Sequence, residues 1–494
     1  MKSVCKGVIS LAWILSFLFL AVYLPSTAIA AKAEKKTKAA NVDSSYRLGK
    51  ATAAFEANKM GDMSDFDPSN PIIPTGDTIK IAVVAPFSGP ATSSGEGAFF
   101  VAQWAAHDIN KRGGIWVDGK KKLVQIIKAD NMSKQDQCKK ICERMVLQEK
   151  VHFLVGTNGS NLMKVLNETA SKYKVIAVNV AAMSDELQDA ANFTRYGFMT
   201  IMGTGQIGRG LAYYYGQIRK KEKKFYILCQ DYMFGHGIAD GFKMGLKEYY
   251  PEAQIVGEDY HKLFQTDYAS YLTKIKASGA EVIYSGDWPP DSTNLLKQAR
   301  QMGVTLPMAN MHWLDIPSLY EVGLEGSRGL VNLEQFENSN PTFKNPGYIK
   351  MFKTWNDLWK TKWKTPPFNM RNYELPATEY GARTMMTYWL LSVIERTKSL
   401  DPEKIIKVWE GDTYKTVTGK VLKMRACDHR VIQNLTVSEY VPTDQQKVSM
   451  NIPPYFWFKD IAFAGERQII PADKILPLMD QKLDRCKGKN EWGE

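Results

Sequence analysis

Few residues in this chain stand at spacings that support covalent chemistry. Cys427-Asp428-His429 puts a thiol, a carboxylate and an imidazole in consecutive positions, but neighbours in sequence rarely face one another, and a nucleophile needs its base within hydrogen-bond reach. The run reads as a turn at a strand end. HExxH, paired CxxC and GxSxG are absent and the six histidines stand apart, so neither a zinc centre nor a serine triad has support. Asp65, Asp67 and Ser69 imitate the start of a calcium loop, yet the twelfth position from Asp65 is Gly76, where a bidentate Glu is needed. No catalytic residue, metal or cofactor is expected.

Binding chemistry has a better claim on the stretch from Thr78 to Asn110. Ile79 to Ala85 is a short apolar run that suits a strand buried on both faces of a parallel sheet. A loop of small residues follows, with Ser88-Gly89-Pro90 and Ser93-Ser94-Gly95. It carries neither GxGxxG nor GxxxxGK[ST], so it is not a nucleotide loop. From Gly97 the pattern turns helical, with Val101, Ala105 and Ile109 on one face, until Lys111, Gly113 and Gly114 stop it. In an open α/β sheet such a loop lies at the carboxyl end of the strand, where ligands bind.

Similar units recur along the chain. Strands are expected at Leu123 to Lys128, Val151 to Val155 and Val175 to Val178, with helices at Gln135 to Glu149 and Leu162 to Tyr173. After a helix at Ile207 to Lys220, a second series follows. Its strands are Phe225 to Cys229, Gln254 to Val256 and Val282 to Ser285, and its helices lie near Ala239 to Tyr250, Tyr268 to Ala277 and Ser292 to Met302. That makes two sheets. Later helices near Tyr348 to Trp363 and Ala377 to Thr397 belong to one or the other, and the tail past Val441, with Pro453-Pro454, is expected to wrap the surface.

The start of the chain reads as a secretory signal peptide: Lys2 and Lys6, an apolar run from Val8 to Leu24, then Ala28-Ile29-Ala30 as the cleavage signal. A retained membrane anchor is the alternative, because the run approaches spanning length. Cleavage takes the formal charge from +12 to +10. An exported protein meets little nucleic acid, so the charge is read as solubility and no nucleic-acid partner is expected. Residues 31 to 77, rich in Ala and Lys and then in Pro68, Pro71 and Pro74, read as a spacer. Five cysteines follow the leader. Cys229 belongs to a buried strand and is expected to stay free, whereas Cys427 and Cys486 lie in irregular segments that could pair and tie down the tail.

IKIAVVAPFSGP, HDINKRGGI followed by KAD, VHFLVGTNGS, ILCQDYMFGHGIADG and IYSGDWPPDSTNLLKQARQMG occur in that order. Together they resemble the periplasmic leucine/isoleucine/valine-binding proteins of ABC transporters over about Thr78 to Tyr440. The resemblance implies an α/β protein of two Rossmann-like lobes joined by a three-crossover hinge, the type I periplasmic binding protein fold, closing over a small ligand without catalysis. Lobe 1 is expected at about 78–199 and 330–408, lobe 2 at about 200–329 and 409–440, and a wrap at 441–494. The partners implied are a small-molecule ligand and a membrane permease, with the protein acting as a monomer.

Carried over by position, the family's carboxylate-binding serine falls on Ser160, and the next loop on Ala181, Ala182 and Met183, where the usual threonine is absent unless Ser184 takes its place. The aromatic clamp falls on Phe234, the ammonium-binding acid on Asp291 and the lid aromatic on Ser94. A small residue at Ser94 and an acid shorter than glutamate leave room that Trp288 or a larger ligand fills. The resemblance implies capture of a small amino acid or related zwitterion. A sensor for a signalling partner, a binder of neutral or anionic ligands such as an aromatic acid or amide, and more distantly a hydrolase are the alternatives.

Overall fold

A computed structural model describes residues 48, 51–53, 59–89, 91–313, 316–335, 346–370, 373, 379–417, 419–445 and 460–494. The expected signal peptide, Pro453-Pro454 and most of the expected spacer lie outside the described residues. Among those described, no helix is long and apolar enough to cross a membrane.

The first sheet holds β1 (Ile79–Ala85), β2 (Val124–Asp130), β3 (Phe153–Gly156), β4 (Ile176–Asn179) and β5 (Gly197–Met199), all parallel, in the order β2-β1-β3-β4-β5. Helices α1 (Thr92–Lys111), α2 (Gln135–Leu147) and α3 (Ser160–Tyr173) make the crossovers. β1 is buried along nearly its whole length, as a central strand covered on both faces must be. α1 begins five residues before Gly97, because Thr92 Oγ1 donates to Gly89 O at 2.6 Å and Gly95 packs where a Cβ would come within 1.9 Å of Pro86 O. Serine and glycine there read as loop by propensity, and packing overrides it.

The second lobe opens with α4 (Thr204–Tyr213), which runs on as a π turn at Tyr214–Arg219. It repeats the winding with β6 (Lys224–Gln230), α5 (Met233–Tyr249), β7 (Gln254–His261), α6 (Ala269–Ser278), β8 (Val282–Tyr284), α7 (Asp291–Gln301), β9 (Met308–Asn310), α8 (Ile316–Ser327) and β10 (Val331–Glu334). Then come α9 (Pro346–Thr361), α10 (Glu379–Thr397) and α11 (Pro402–Trp409), with α10 packed on α1. β11 (Thr413–Lys415), β12 (Val421–Met424) and β13 (Val431–Ile432) form a small sheet with the two-residue strand Thr52–Ala53, which pairs parallel along β11, before β14 (Leu435–Val441) and β15 (Phe463–Ile470). The second sheet runs β7-β6-β8-β9-β10-β14-β15, parallel as far as β10 and antiparallel beyond it.

Three departures from expectation follow. β10 stands in the second sheet, past the 330 at which the return to the first lobe was expected. The tail is no mere surface wrap, since β15 pairs along β14 and supplies the sheet's edge; eight residues of FAGERQII carry too little alternation to announce this. From Lys59 the expected spacer is docked. Met60, Met63 and Phe66 are buried, and the Phe66 ring meets Phe100, Trp104 and Trp363 at 5.8, 5.2 and 5.9 Å.

The crossovers are tied to one another. Gln335, just after β10, donates from Nε2 to Thr200 O at 2.8 Å and accepts from Met202 N at 3.3 Å, so it grips the chain where it leaves β5. Met199 N donates to His429 O at 2.9 Å on the return strand segment. Asp185, after β4, accepts from Gly205 N at 2.6 Å at the head of α4 and pairs with Arg430.

Candidate functional site

At the carboxyl edge of the first sheet, Asp130 holds the first loop in place. It accepts from Phe87 N at 2.9 Å, Ser88 Oγ at 2.7 Å and Met132 N at 2.8 Å. Burial works against its charge, but those donors outweigh it and keep the carboxyl below its ordinary range. Ser94 lies in the first turn of α1, half-buried, where Asn158 Nδ2 donates to its Oγ and Arg383 of α10 comes within 3.4 Å of the same oxygen. Ser160 is the first residue of α3 and is buried. Its Oγ accepts from Ser184 N at 3.3 Å, which joins the third and fourth loops.

Ala181, Ala182 and Met183 form that fourth loop, folded around Asn179. Asn179 Oδ1 accepts from the backbone N–H of Ala181 and Ala182 at 3.2 and 2.9 Å, and its Nδ2 donates to Ala182 O at 2.6 Å. Met183 O accepts from Thr204 N at 2.8 Å. Ser184 is drawn to Ser160 through its backbone N–H.

The second lobe brings Phe234, Trp288 and Asp291 together. Trp288 Nε1 donates to Tyr232 OH at 2.9 Å and its ring meets Phe264 edge-on at 5.8 Å. Phe234 is buried, 5.9 Å from Tyr232 and 6.2 Å from His312. Tyr232, Phe264 and Trp288 are only half-buried and form an aromatic wall. Asp291, first residue of α7, is fully buried; its Oδ2 accepts from Gln230 Nε2 at 2.7 Å and Phe264 N at 2.9 Å, while Oδ1 has no hydrogen-bond partner among the described residues. Burial above all, with the charge of Asp287 nearby, lifts its pKa to about 6. Asp287, equally buried, bonds His261 Nε2 at 2.8 Å. Burial works against the imidazolium, but Asp287 prevails and raises the pKa of His261.

A family model described as a periplasmic binding protein matches residues 78–446. The chain belongs to the periplasmic binding protein family. Its resemblance to the leucine/isoleucine/valine-binding proteins is borne out, and with it the two-lobed type I fold. This periplasmic binding protein is 24% identical over 347 residues to the Leu/Ile/Val-binding protein of Escherichia coli, covering 69% of this chain and 85% of that one. It is 29% identical over 232 residues to an amino acid binding protein of Pseudomonas aeruginosa, covering 46% of this chain and 58% of that protein. Among solved structures, a solute binding protein of an ABC transporter from R. palustris in complex with 4-hydroxybenzoate aligns with a TM-score of 0.62 at 19% identity, covering 79% of this chain and 97% of that one.

Motif reading did not find Asn158, Arg383, Tyr232, Phe264, His261 or Asp287. Asp287 could have been found, since it stands four residues before Asp291 in GDWPPD. Arg383 had no local signal, because only the packing of α10 on α1 brings it to Ser94. The side chains of the Cys-Asp-His run are committed elsewhere. Cys427 is bonded to Cys486, Asp428 accepts from Arg425 Nε at 2.8 Å, and His429 meets Glu410 at 2.9 Å.

Proposed function

We propose that the protein is the exported substrate-binding component of an ABC transporter, cleaved after Ala30, that captures a small amino acid or related zwitterion by hinge closure and delivers it to a membrane permease. The observation that carries the ligand class is the orphan Oδ1 of Asp291. A buried carboxylate with one unmatched oxygen is costly unless a donor reaches it, and a ligand ammonium supplies that donor together with the opposite charge. In the other lobe Ser160, with the N–H groups at the head of α3, offers donors to a ligand carboxylate. The wall of Tyr232, Phe264 and Trp288 then takes a side chain bulkier than that of valine. Contacts made to both lobes only when closed shift the equilibrium toward closure, the form a permease would read.

A second reading has its own support. Asp291 is wholly covered, and the half-buried groups beside it are aromatic, which suits an aromatic acid such as the one in the R. palustris complex. Mass spectrometry of the small molecule that co-purifies with the protein separates the two. An amino acid supports the first reading, a benzoate-type acid the second, and turnover of the molecule would overturn both.

A further inference from the structure

The end of the chain touches both lobes and the hinge between them. On the side of the second lobe, Tyr249 OH donates to Lys474 O at 2.6 Å, and Arg209 Nη1, from α4, donates to Leu476 O at 3.1 Å. Leu478 lies against the head of α4, where a Cβ on Gly205 would come within 2.7 Å of Leu478 Cδ1. Two residues later the chain has reached the first lobe. Asp480 Oδ2 accepts the N–H of Ala190 at 2.9 Å, in the stretch between β4 and β5. Arg485 lies over the Phe193 ring of the same stretch, 5.4 Å from its centroid, and pairs with Glu410 just past α11.

The third set of contacts is to the chain's last crossover, before β13. Arg485 Nη2 donates to Ala426 O at 2.9 Å, Arg425 Nη1 donates to Glu491 O at 2.6 Å, and a disulfide joins Cys427 to Cys486 with their Cα atoms 5.2 Å apart. This crossover is also the one whose His429 accepts from Met199 N where the chain first leaves the first sheet.

We propose that residues 471–494 form a strap, a further tie between the lobes beside the crossovers, which limits how far the cleft opens, and that the Cys427–Cys486 disulfide fixes its length. Leu478 and Asp480, one held on each lobe, are two residues apart, and two residues of fully extended chain reach about 7 Å. Both contacts are made by side chains, so an opening that parts Ala190 from the head of α4 by more than this backbone span plus the reach of the Leu478 and Asp480 side chains must break an anchor. The disulfide closes a loop of sequence separation 59 onto the crossover itself, so the strap cannot give by sliding. A narrower open ensemble keeps more of the free protein near the closed geometry, which favours capture whatever the ligand is.

The test uses the full-length ligand-free protein carrying spin labels at Gln135→Cys and Lys262→Cys. Both positions are exposed and follow the second strand of their lobe, and the free cysteines Cys138, Cys142 and Cys229 are buried. Double electron–electron resonance reads the distance between the labels across the cleft. Replacing Cys427 and Cys486 with serine, and separately Asp480→Ala, is expected to move the distribution to longer distances and broaden it. Asp480→Ala keeps the disulfide and decides the matter if the serine variant does not fold. A distribution that stays where it is in every variant that folds overturns the strap.

Discussion

Asp291 accepts the backbone N–H of Phe264 at 2.9 Å, and Phe264 holds φ at 61°, the left-handed region that costs an ordinary residue roughly 1–2 kcal/mol. The carboxylate therefore shapes the turn that presents one ring of the aromatic wall, besides offering its free oxygen. Asp291→Ala is expected to weaken binding of the co-purifying ligand by roughly a hundredfold or more, the usual cost of removing one member of a desolvated charge pair. Asp291→Asn can keep the Phe264 contact while losing the charge. If calorimetry gives the Asn variant the parent's affinity, Asp291 serves only the turn and the zwitterion reading is wrong.

The same carboxyl gives a pH signature. Its pKa in the fold is about 6, against an ordinary 3.8. A carboxyl raised in this way stabilises the fold fully below the ordinary value, and that contribution disappears as pH climbs through about 6. His261 and Asp287 are buried beside it, so the comparison must be with Asp291→Asn, which removes only this one titration. Thermal midpoints of the two ligand-free proteins should differ in a pH-dependent way between about pH 4 and 7, with the Asn variant gaining on the parent as pH rises. A zwitterionic ligand should bind more tightly over that rise, and an aromatic acid less tightly.

How much of this was legible in the sequence depends on how local its causes are. β1, α2, α3, β6 and α7 come from apolar periodicity within single segments, and the structure has them within a few residues of where that periodicity places them. β5, β9 and β10 are three or four residues long, too short to show a period, and form because neighbouring strands supply their partners. Ser160 and Asp291 head their helices, as position in the motif implies. Arg383, Phe264 and Gln335 act through contacts across 289, 27 and 135 positions of sequence, which no spacing rule reads.

The cysteines divide cleanly. Cys427 and Cys486 are joined, while Cys138, Cys142 and Cys229 are free and buried, with burial pushing the Cys229 thiol well above its usual pKa. A neutral, inaccessible thiol does not react. Peptide mapping without reduction should recover the 427–486 pair, and alkylation of the native protein should leave the other three unmodified. Recovery of Cys427 and Cys486 as two free thiols contradicts the pairing.

The export proposal has a direct check. Ala28 and Ala30 provide the small side chains that a signal peptidase accepts, so the mature protein should begin at Ala31. Intact mass of material from the periplasm decides it, and a chain still carrying Met1 counts against cleavage.

Phe66 tests whether the docked residues after Lys59 belong to the folded unit or merely lie on it. The side chain is 1% exposed and fills a space between α1 and Trp363, whose indole Nε1 donates to Phe66 O at 3.1 Å. Beside it Asp65 meets His107 Nε2 at 2.9 Å and Lys111 Nζ at 2.6 Å, so the segment is held at ring and charge together. Removing a buried aromatic ring costs about 3–5 kcal/mol when the surroundings cannot collapse, and a cluster of four large rings collapses poorly. Phe66→Ala should therefore lower the stability measured by urea unfolding by about that amount, with a single transition, whereas Asp65→Ala, at a half-exposed pair, should cost about 1 kcal/mol or less. A Phe66 variant with the parent's midpoint would mean that the segment docks without contributing to the fold and is the spacer its composition suggests.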